Sequence, residues 1–474
     1  MNSIIKALKE RGYDTVPEEF YSKIAEWRQW YRGNVAQFHN YKVYNGDKKI
    51  SCRRYSLGMG KMVSEDWANL LMNEKVQVTL EGKKEQEFFN QVCRENNFAV
   101  KINEMQEIKA ALGTAAYIPR AVGVPVDLDT GRVEGQAYGL KLDYVSAEHI
   151  YPLSWENGMV IECAFAVEKT VKGEKYVYLQ IHRKENGTYA IDNLLYLAKD
   201  EQLKEVPLSD VPGFENLPAT VHTTSTRPLF VLDRLNIVNN LDESLPLGVP
   251  CFANAIDCLK GVDVAYDSYV NEFVLGKKRI IVKPEATKTI DGDPLFDPNE
   301  LVFYLLPEDG QNENPVTSID MTLRTQEHNA GIQDMLNALS VKCGFGENHY
   351  KFEKGTVTTA TQIISENGQE FRTLKKHEIV LENVLKDLCR ILLWMGNTYL
   401  RAGLNEDVEI SIDFDDSIIE DDETNFNRDS RMVSMGAMNL WEFRAKWMNE
   451  DEATAKASLP NMEELSDDEQ DEVE

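Results

Sequence analysis

Residues 250–276 read PCFANAIDCLKGVDVAYDSYVNEFVLG. Apolar side chains recur in this stretch at steps of three and four, which places them on one face of a helix: Phe252, Ile256, Leu259, Val262, Tyr266, Tyr269 and Phe273. Residues 250–275 therefore predict a helix about 39 Å long, at about 1.5 Å per residue. The helix is expected to end at Gly276, and the basic run 277–279 that follows suits the charge preference of a helix C-terminus.

A small β segment and a second helix come next. Residues 280–282 and 301–306 are apolar enough for two short strands, and the turn sequence DGDP lies between them at 291–294. A second helix is predicted over residues 321–343. Because a β segment this small cannot bury much core by itself, two helices that flank it indicate a protruding stalk.

A glycine-flanked loop, residues 344–355, separates the second helix from a third and much longer one. The third helix is predicted over residues 358–401, a length of roughly 66 Å. Gly368 lies within it and could allow a bend. A helix of this length is unusual in a compact monomer, which favours a role that spans a large assembly.

Two lysines in the loop are positive charges in an otherwise acidic chain. Lys351 and Lys354 follow Asn348, His349 and Tyr350. A loop that carries such groups is able to contact a phosphate backbone weakly and without sequence preference. The alternative is an ordinary surface loop. The residues alone leave both interpretations open.

The N-terminal half of the chain changes character near residue 115. Residues 1–114 show mostly helical periodicity, as in the stripe Phe20, Ile24, Trp27 and Tyr31. Residues 115–230 are β-rich, with strands predicted at 136–144, 160–167, 175–183 and 187–197. Strands at this spacing favour a meander or a small sandwich and argue against a doubly wound nucleotide-binding fold.

The C-terminal part is acidic. A strand is predicted over residues 408–414 and helices over 425–457, and the tail from Met462 has 8 acids in 13 residues, which predicts a disordered, solvated end. The net charge of the chain is −28, of which residues 403–474 carry −18. This charge makes the chain a poor candidate for tight, sequence-reading DNA binding, which normally uses a basic face. It is compatible with a surface that DNA passes without sticking, although composition alone favours a contribution to solubility.

The length and the cysteine content limit the classes of protein to which the chain can belong. A chain of 474 residues is long enough for two or three domains with their own cores. Its seven cysteines form no CxxC pair and are odd in number, which predicts free thiols in a reducing cytosol. The N-terminus lacks a secretory pattern, and no window approaches 18 uncharged apolar residues. We therefore expect a soluble protein that is made in the cytoplasm.

No catalytic, metal or cofactor motif is complete. The sequence Gly58-Met59-Gly60-Lys61 is not a phosphate loop, because Tyr55 and Met62 stand where the first glycine and the Ser/Thr should be. The aspartates at 413, 415 and 416 lack the EF-hand glycine and glutamate, and there is no HExxH or GxSxG sequence. We assign no catalytic residue, no metal and no cofactor. A hydrolase with a non-local site stays an alternative, since the members of a Ser/His/Asp site need not be adjacent.

Several short stretches together carry a family pattern. They are LGMGK (57–61), WANLLMNE (67–74), YVSAEHIYPL (144–153), the LR at 323–324, TATQIISEN (359–367), FDDSII (414–419) and VSMGA (433–437). In order and spacing they resemble the portal proteins of tailed bacteriophages, of the siphovirus and prophage type of Gram-positive bacteria. The resemblance covers roughly residues 1–460. It departs from the family at residues 248–250, where the first long helix usually has a Gly-Ile-Ser-like cap, although proline in a first helical turn is acceptable.

The resemblance implies an α+β fold, a phage-portal-like subunit with an α/β wing, a two-helix stem, a small β clip, a long kinked helix and a helical crown. Its implied domains are a wing at 1–245 (β-rich at 115–230), stem helix 1 at 246–276, the clip at 277–318, stem helix 2 at 319–343, a tunnel loop at 344–357, the long wing helix and strand at 358–424, the crown at 425–461 and an acidic disordered tail at 462–474. For the stem acids, Asp257, Asp263, Asp267 and Glu272, the plain interpretation is a solvated outer face.

The resemblance also implies a function without enzymatic activity. A ring, usually of twelve subunits, would sit at one capsid vertex as the channel for DNA packaging and ejection. DNA-facing residues of the tunnel loop would be Asn348, His349, Lys351 and Lys354. Contacts of the clip with terminase or adaptor proteins would involve Lys277, Lys278, Arg279, Asp291 and Asp293. The implied partners are other copies of the chain, double-stranded DNA, the terminase large subunit, head-completion or adaptor proteins, scaffold and the major capsid protein, with no membrane.

The implied location is the virion, after synthesis and assembly in the cytoplasm of the bacterial host. The first alternative is an acidic cytoplasmic scaffold or adaptor protein that never contacts DNA. It predicts a monomer or a small oligomer, and a loop whose lysines are unimportant.

Overall fold

The computed structural model describes residues 2–44, 48–73, 76–199, 202–276, 279–282, 303–305, 316–319, 322–352, 360–414, 422–448 and 450–459. The chain divides into two compact units, Met1–Phe414 and Asp415–Glu474. Helices and strands are mixed along the first unit, which agrees with the α+β class that was predicted.

The first unit has these helices in its described part: α1 (Asn2–Glu10), α2 (Glu18–Tyr31), α3 (Ala36–His39), α4 (Met59–Leu71), α5 (Lys83–Glu95), α6 (Phe98–Leu112), α7 (Ile256–Leu275), α8 (Thr325–Lys342) and α9 (Ala360–Leu400). Its strands are β1 (Asn40–Tyr44), β2 (Lys49–Arg53), β3 (Gln77–Leu80), β4 (Thr114–Val122), β5 (Gly139–Ser146), β6 (Ile150–Glu156), β7 (Met159–Val171), β8 (Glu174–Glu185), β9 (Thr188–Lys199), β10 (Gln202–Val206), β11 (Thr220–His222), β12 (Val231–Arg234), β13 (Arg279–Val282), β14 (Phe303–Leu305), β15 (Val316–Ile319) and β16 (Ile410–Asp413).

The largest sheet is an antiparallel meander in the order β10-β9-β8-β7-β6, with β11 added beside β9. Two-residue turns join β6 to β7, β7 to β8 and β8 to β9. Each turn ends in glycine and has positive φ at both positions, at residues 157–158, 172–173 and 186–187. Tight turns of this kind match the twist of paired strands and join neighbours in one sheet. Of the two predicted arrangements, a meander and a small sandwich, the structure has the meander.

A second sheet, β12-β4-β5, packs against α6 and α9 and holds a buried polar group at its centre. Lys109 and Asp233 form an ion pair of 3.0 Å with side-chain exposures of 1% and 0%. The second carboxylate oxygen of Asp233 accepts hydrogen bonds from Gln106 Nε2 at 2.7 Å and from the Tyr117 hydroxyl at 3.0 Å. The core of the first unit therefore contains a fully buried charge pair with its hydrogen bonds made.

The three long helices that the sequence predicts are all present. The first, α7, begins at Ile256, six residues later than expected, because residues 250–255 form turns that end in a short 3₁₀ segment. The second, α8, is Thr325–Lys342, somewhat shorter than the predicted 321–343. The third, α9, has 41 residues and runs through Gly368 without interruption.

Three small β features of the structure were not predicted from the sequence. The hairpin β1–β2 lies in a region that was expected to be helical, and β3 pairs with β16, more than 300 residues away in the chain. In the described residues between α7 and α8 the small sheet has three strands, one more than predicted, with β13 parallel to β14 and antiparallel to β15. Strands of three to five residues are too short for a periodic signal, and pairing over such a distance leaves no local one.

Two of the four acids on α7 are buried, and a third, Glu272, has a side chain that is 15% exposed and pairs with Arg324 at 2.8 Å. Asp257 is exposed and pairs with Lys260 at 3.0 Å, as expected. The interpretation of a solvated outer face is wrong for Asp263 and Asp267, which are only 4% and 8% exposed. Their carboxylates accept hydrogen bonds from the chain segment that follows β2, so they are interior groups that join two parts of the unit.

The second unit contains α10 (Asp422–Ser434), α11 (Leu440–Met448) and α12 (Glu452–Ala457) in its described part. The Phe426 ring packs against those of Phe443 and Trp447, at centroid distances of 5.2 and 5.3 Å. Asp429 is buried and pairs with Lys446 at 2.8 Å. The helices predicted over residues 425–457 are therefore present, and the acidic tail lies outside the described residues.

Candidate DNA-contact loop and its anchor

The loop after α8 begins in a buried aromatic stack. Phe345 is fully buried and stacks on Trp67 of α4, with the ring centroids 4.7 Å apart. The Trp67 indole N–H donates to the carbonyl oxygen of Cys343 at 3.0 Å. Gly344, at φ +93°, turns the chain between the helix and this stack. The start of the loop is therefore fixed to α4.

His349 joins the loop to two helices of the first unit. Its ring stacks on Phe345 at 4.2 Å, its Nδ1 lies 3.2 Å from Glu370 of α9, and its Nε2 lies 3.6 Å from Asp66 of α4. Burial by itself would lower the pKa of His349, but hydrogen bonds and charge from Asp66 and Glu370 outweigh it and raise the pKa to about 9. The imidazolium is thus held between two carboxylates near neutral pH.

Tyr350 and Phe352 complete this anchor. The Tyr350 hydroxyl donates to Asp66 Oδ2 at 2.7 Å, and the side chain is 4% exposed. The amide of Gln333, on α8, donates to the carbonyl of Tyr350 and accepts from the N–H of Phe352, both at 2.8 Å. Lys351 lies between these two fixed residues and is exposed.

The structure places the predicted loop residues in different surroundings. Lys351 is exposed, Asn348 is half-buried, and the His349 side chain is 24% exposed within the anchor. Lys354 lies outside the described residues. The role of these four residues in DNA contact stays a prediction.

Of the predicted clip residues, the structure describes only Arg279, which is the first residue of β13. Lys277, Lys278, Asp291 and Asp293 lie outside the described residues. Sequence reasoning missed the anchor residues Asp66, Gln333 and Glu370, because an acid or amide on an amphipathic helix usually faces water and no local pattern shows which of them will meet a distant loop.

The stability of the loop anchor should fall at alkaline pH. The folded-state pKa of His349, about 9, is above its ordinary value of 6.5. Its contribution is therefore fully present below about pH 6.5 and is lost as the pH rises through about 9. Denaturant unfolding midpoints between pH 7 and pH 10 should decline more for the wild type than for His349→Gln. An equal decline in both proteins would show that the ring is not charged in the folded state.

The glycines of the sequence Gly58-Met59-Gly60-Lys61 serve packing. Gly58 precedes α4 at φ +73°, and a Cβ on Gly60 would lie 2.6 Å from the carbonyl oxygen of Trp30 in α2. The Lys61 ammonium pairs with Glu107 at 2.6 Å and with Glu65 at 2.9 Å. The motif therefore allows two helices to approach closely, and its lysine is engaged by carboxylates.

Gly60→Ala should lower the free energy of unfolding by about 1–3 kcal/mol, because the added methyl group forces the backbones of α2 and α4 apart. Gly331→Ala is the matched control, since Gly331 is also helical and a Cβ there meets no atom within 4 Å. It should stabilise the protein by up to about 1 kcal/mol through helix propensity. Chemical denaturation of the two variants measures both effects, and a neutral Gly60→Ala would mean that the helices are not in close contact.

The described residues contain no group of three or more His, Cys, Asp or Glu side chains that could hold a metal ion. None of the helices in the described part of the chain has the length and apolar composition that a bilayer crossing requires. The anchored loop thus lies between α8 and the 41-residue α9, after a pair of helices with a small sheet inserted between them.

Comparison with known families identifies the class of protein. The family model described as "Phage portal protein, SPP1 Gp6-like" matches residues 13–473, and the chain belongs to this family. It is therefore a phage portal protein, a structural head–tail connector and a component of the virion. The resemblance that the sequence motifs carried is confirmed.

Comparisons with curated proteins and with solved structures do not extend this assignment. No curated protein matches the sequence. One similar solved structure is described as "Neck of native GTA particle computed with C12 symmetry". It is 12% identical, the match covers 81% of this chain and 87% of that one, and the TM-score is 0.36. A likeness this distant carries no argument about the fold or the assembly of this protein.

Proposed function

We propose that the chain forms a closed ring, of twelve subunits, at one vertex of the phage capsid. DNA enters through the central channel during packaging by terminase and leaves through it during ejection. The observation that carries this proposal is the portal family match over residues 13–473. A closed ring also gives the exposed faces of long helices such as α9 a neighbouring copy to pack against.

The parts of the fold take their roles from the family. Residues 1–245 and most of α9 form the wing, α7 and α8 form the stem, and the small sheet β13–β15 belongs to the clip. Residues 425–461 form the crown. The clip, with Lys277, Lys278, Arg279, Asp291 and Asp293, contacts terminase and later the head-completion or adaptor proteins. Scaffold and the major capsid protein contact the outside of the ring.

The loop after α8 is the part of the ring that contacts passing DNA. Lys351 is exposed, and its neighbours Tyr350 and Phe352 are hydrogen-bonded to Asp66 and Gln333. The backbone that carries the Lys351 charge is therefore fixed in position. Lys354, three residues on, adds a second positive charge. In a chain of net charge −28, most of the channel wall repels phosphates, and a few lysines give transient contact without sequence preference.

Charge reversal of both lysines tests this role. Phage heads that contain Lys351→Glu with Lys354→Glu should assemble normally but package or retain less DNA. The matched control is Lys6→Glu with Lys9→Glu, two exposed lysines at the same spacing on α1. DNA per head is measured by quantitative PCR after nuclease treatment. Unchanged DNA content in the loop variant would remove the two lysines from the DNA path.

Deletion of the chain, followed by the same measurement of DNA per head, separates the two functions. An adaptor protein that never contacts DNA predicts intact heads and full DNA content even when the chain is deleted. A portal predicts heads that are empty of DNA after deletion, whatever the effect of the two lysine substitutions.

A further inference from the structure

The hairpin β1–β2 is a two-faced ribbon that has no sheet to join in the described part of the chain. Its strands pair only with each other, with Val43 opposite Ile50 and Tyr44 opposite Lys49. Side chains of directly paired residues lie on the same face of a two-stranded ribbon, and successive residues alternate between faces. One face thus carries Tyr41, Val43, Ile50 and Cys52, and the other carries Asn40, Lys42, Tyr44, Lys49, Ser51 and Arg53.

Both faces of the ribbon are open to solvent. Val43 and Ile50, at the centre of the apolar face, are 45% and 41% exposed, and Tyr44 on the basic face is 64% exposed. An isolated two-stranded hairpin is marginally stable in water, and it gains stability when a hydrophobic face is covered. A cross-strand pair of β-branched side chains left in solvent is therefore a surface that a partner can cover.

The base of the ribbon is held firmly, so the exposed part is presented in a fixed orientation. The Arg54 guanidinium lies over the rings of Phe38 and Tyr41, 4.3 and 5.0 Å from their centroids, and donates to the Phe38 carbonyl at 2.7 Å. The N–H of Tyr55 donates to Asp267 of α7 at 2.9 Å. A ribbon fixed in this way loses little conformational freedom when it binds.

Its charge is opposite to that of the rest of the protein. Residues 40–54 contain five basic residues and one acid, a net charge of +4, so the remainder of the chain carries −32. In a cyclic ring each contact joins two different patches, one from each copy, so the ribbon of one subunit meets another part of its neighbour rather than the neighbour's ribbon. Electrostatic attraction then favours the contact and fixes its direction around the ring.

We propose that the β1–β2 ribbon docks on an acidic surface of a second copy of this chain and is a contact that closes the ring. The apolar face, centred on Val43 and Ile50, is buried against the neighbour. Lys42, Lys49 and Arg53 lie on the opposite face and act at longer range, by attracting the ribbon towards its acidic neighbour during association. This inference rests on the proposed ring and adds the element that joins its subunits.

The test compares assembly of the purified wild type with that of Val43→Asn with Ile50→Asn, by mass photometry over a concentration series. Both side chains are exposed, so the variant subunit should fold as the wild type does. We expect the concentration needed for assembly to rise at least about tenfold, with particles at the 54.0 kDa of one chain. The matched control is Met159→Asn with Val167→Asn, two exposed apolar residues of β7, which should assemble normally.

A second variant keeps the test decisive if the first one misfolds. Lys42→Glu with Lys49→Glu leaves the apolar face intact and reverses the attraction, so it should also weaken assembly. If both variants form normal rings, the proposed ribbon contact is wrong, and the proposed ring is unaffected. A wild type that stays at one chain under all conditions would overturn both. Normal rings that bind duplex DNA more weakly in fluorescence anisotropy would overturn the contact in favour of a DNA-binding ribbon.

Discussion

Asp233→Ala should lower the free energy of unfolding by about 3–5 kcal/mol, the typical cost of removing one partner of a buried ion pair. Asp233 is 0% exposed and accepts from Lys109, Gln106 and Tyr117. Burial lowers the pKa of Lys109, and the charge of Asp233 opposes that effect. The substitution therefore removes the counter-charge of Lys109 and the acceptor of the Tyr117 hydroxyl, whereas Gln106 Nε2 keeps the Tyr117 oxygen as an acceptor.

Denaturant unfolding of variants at one protein concentration measures this loss, since assembly also contributes to stability. The control is Asp143→Ala, which removes a half-exposed pair with Arg120 and should cost less than about 1 kcal/mol. The loss relative to the wild type should also become smaller from pH 7 to pH 10, because without Asp233 the folded variant releases the Lys109 proton more readily than the unfolded chain does. A loss below about 1 kcal/mol would contradict a buried charge pair at this site.

Asp263→Ala should lower the free energy of unfolding by about 3 kcal/mol and loosen the segment that carries the β1–β2 ribbon. Its carboxylate accepts from His39 Nε2 and the Ser56 hydroxyl, both at 3.0 Å, and from the N–H of Leu57 at 2.8 Å. Each buried donor left without an acceptor costs about 1–3 kcal/mol. The substitution thus removes the hydrogen bonds that tie Ser56 and Leu57 to α7, and it leaves the bond from the N–H of Tyr55 to Asp267.

Asp257→Ala is the control near the start of the same helix, because that side chain is 91% exposed and pairs only with Lys260. It should change stability by no more than about 0.5 kcal/mol. Hydrogen exchange of residues 40–58 should become faster in Asp263→Ala and not in Asp257→Ala. Equal exchange in the two variants would mean that Asp263 does not hold this segment.

The sequence predicted the elements that have a strong repeating pattern. The apolar stripe at 256, 259, 262 and 266 identified α7, and the spacing of the strands in residues 115–230 predicted a meander or a small sandwich, of which the structure has the meander. The starting residue of α7 was wrong, because turns before a helix can continue its apolar spacing. The ribbon was missed because its strands have five residues each and alternate basic with apolar side chains, which is a weak signal for a strand with no buried face.

The loop could be located from its glycines, but its anchor could not. Asp66 and Glu370 contact His349 across separations of 283 and 21 residues, and nothing local to either acid distinguishes it from a solvated one. The same holds for Asp263, whose partners lie more than 200 residues earlier. Tertiary contacts of this kind decide which polar residues of an amphipathic helix are buried. The hydrophobic periodicity of the sequence gives no information about such contacts.

The mass and shape of the protein released from assembled heads test the central claim most directly. Light scattering and negative-stain microscopy should show closed rings with a central hole, at roughly 650 kDa for twelve copies of a 54.0 kDa chain. Compact particles at the mass of one chain, with no ring in any preparation, would contradict the account.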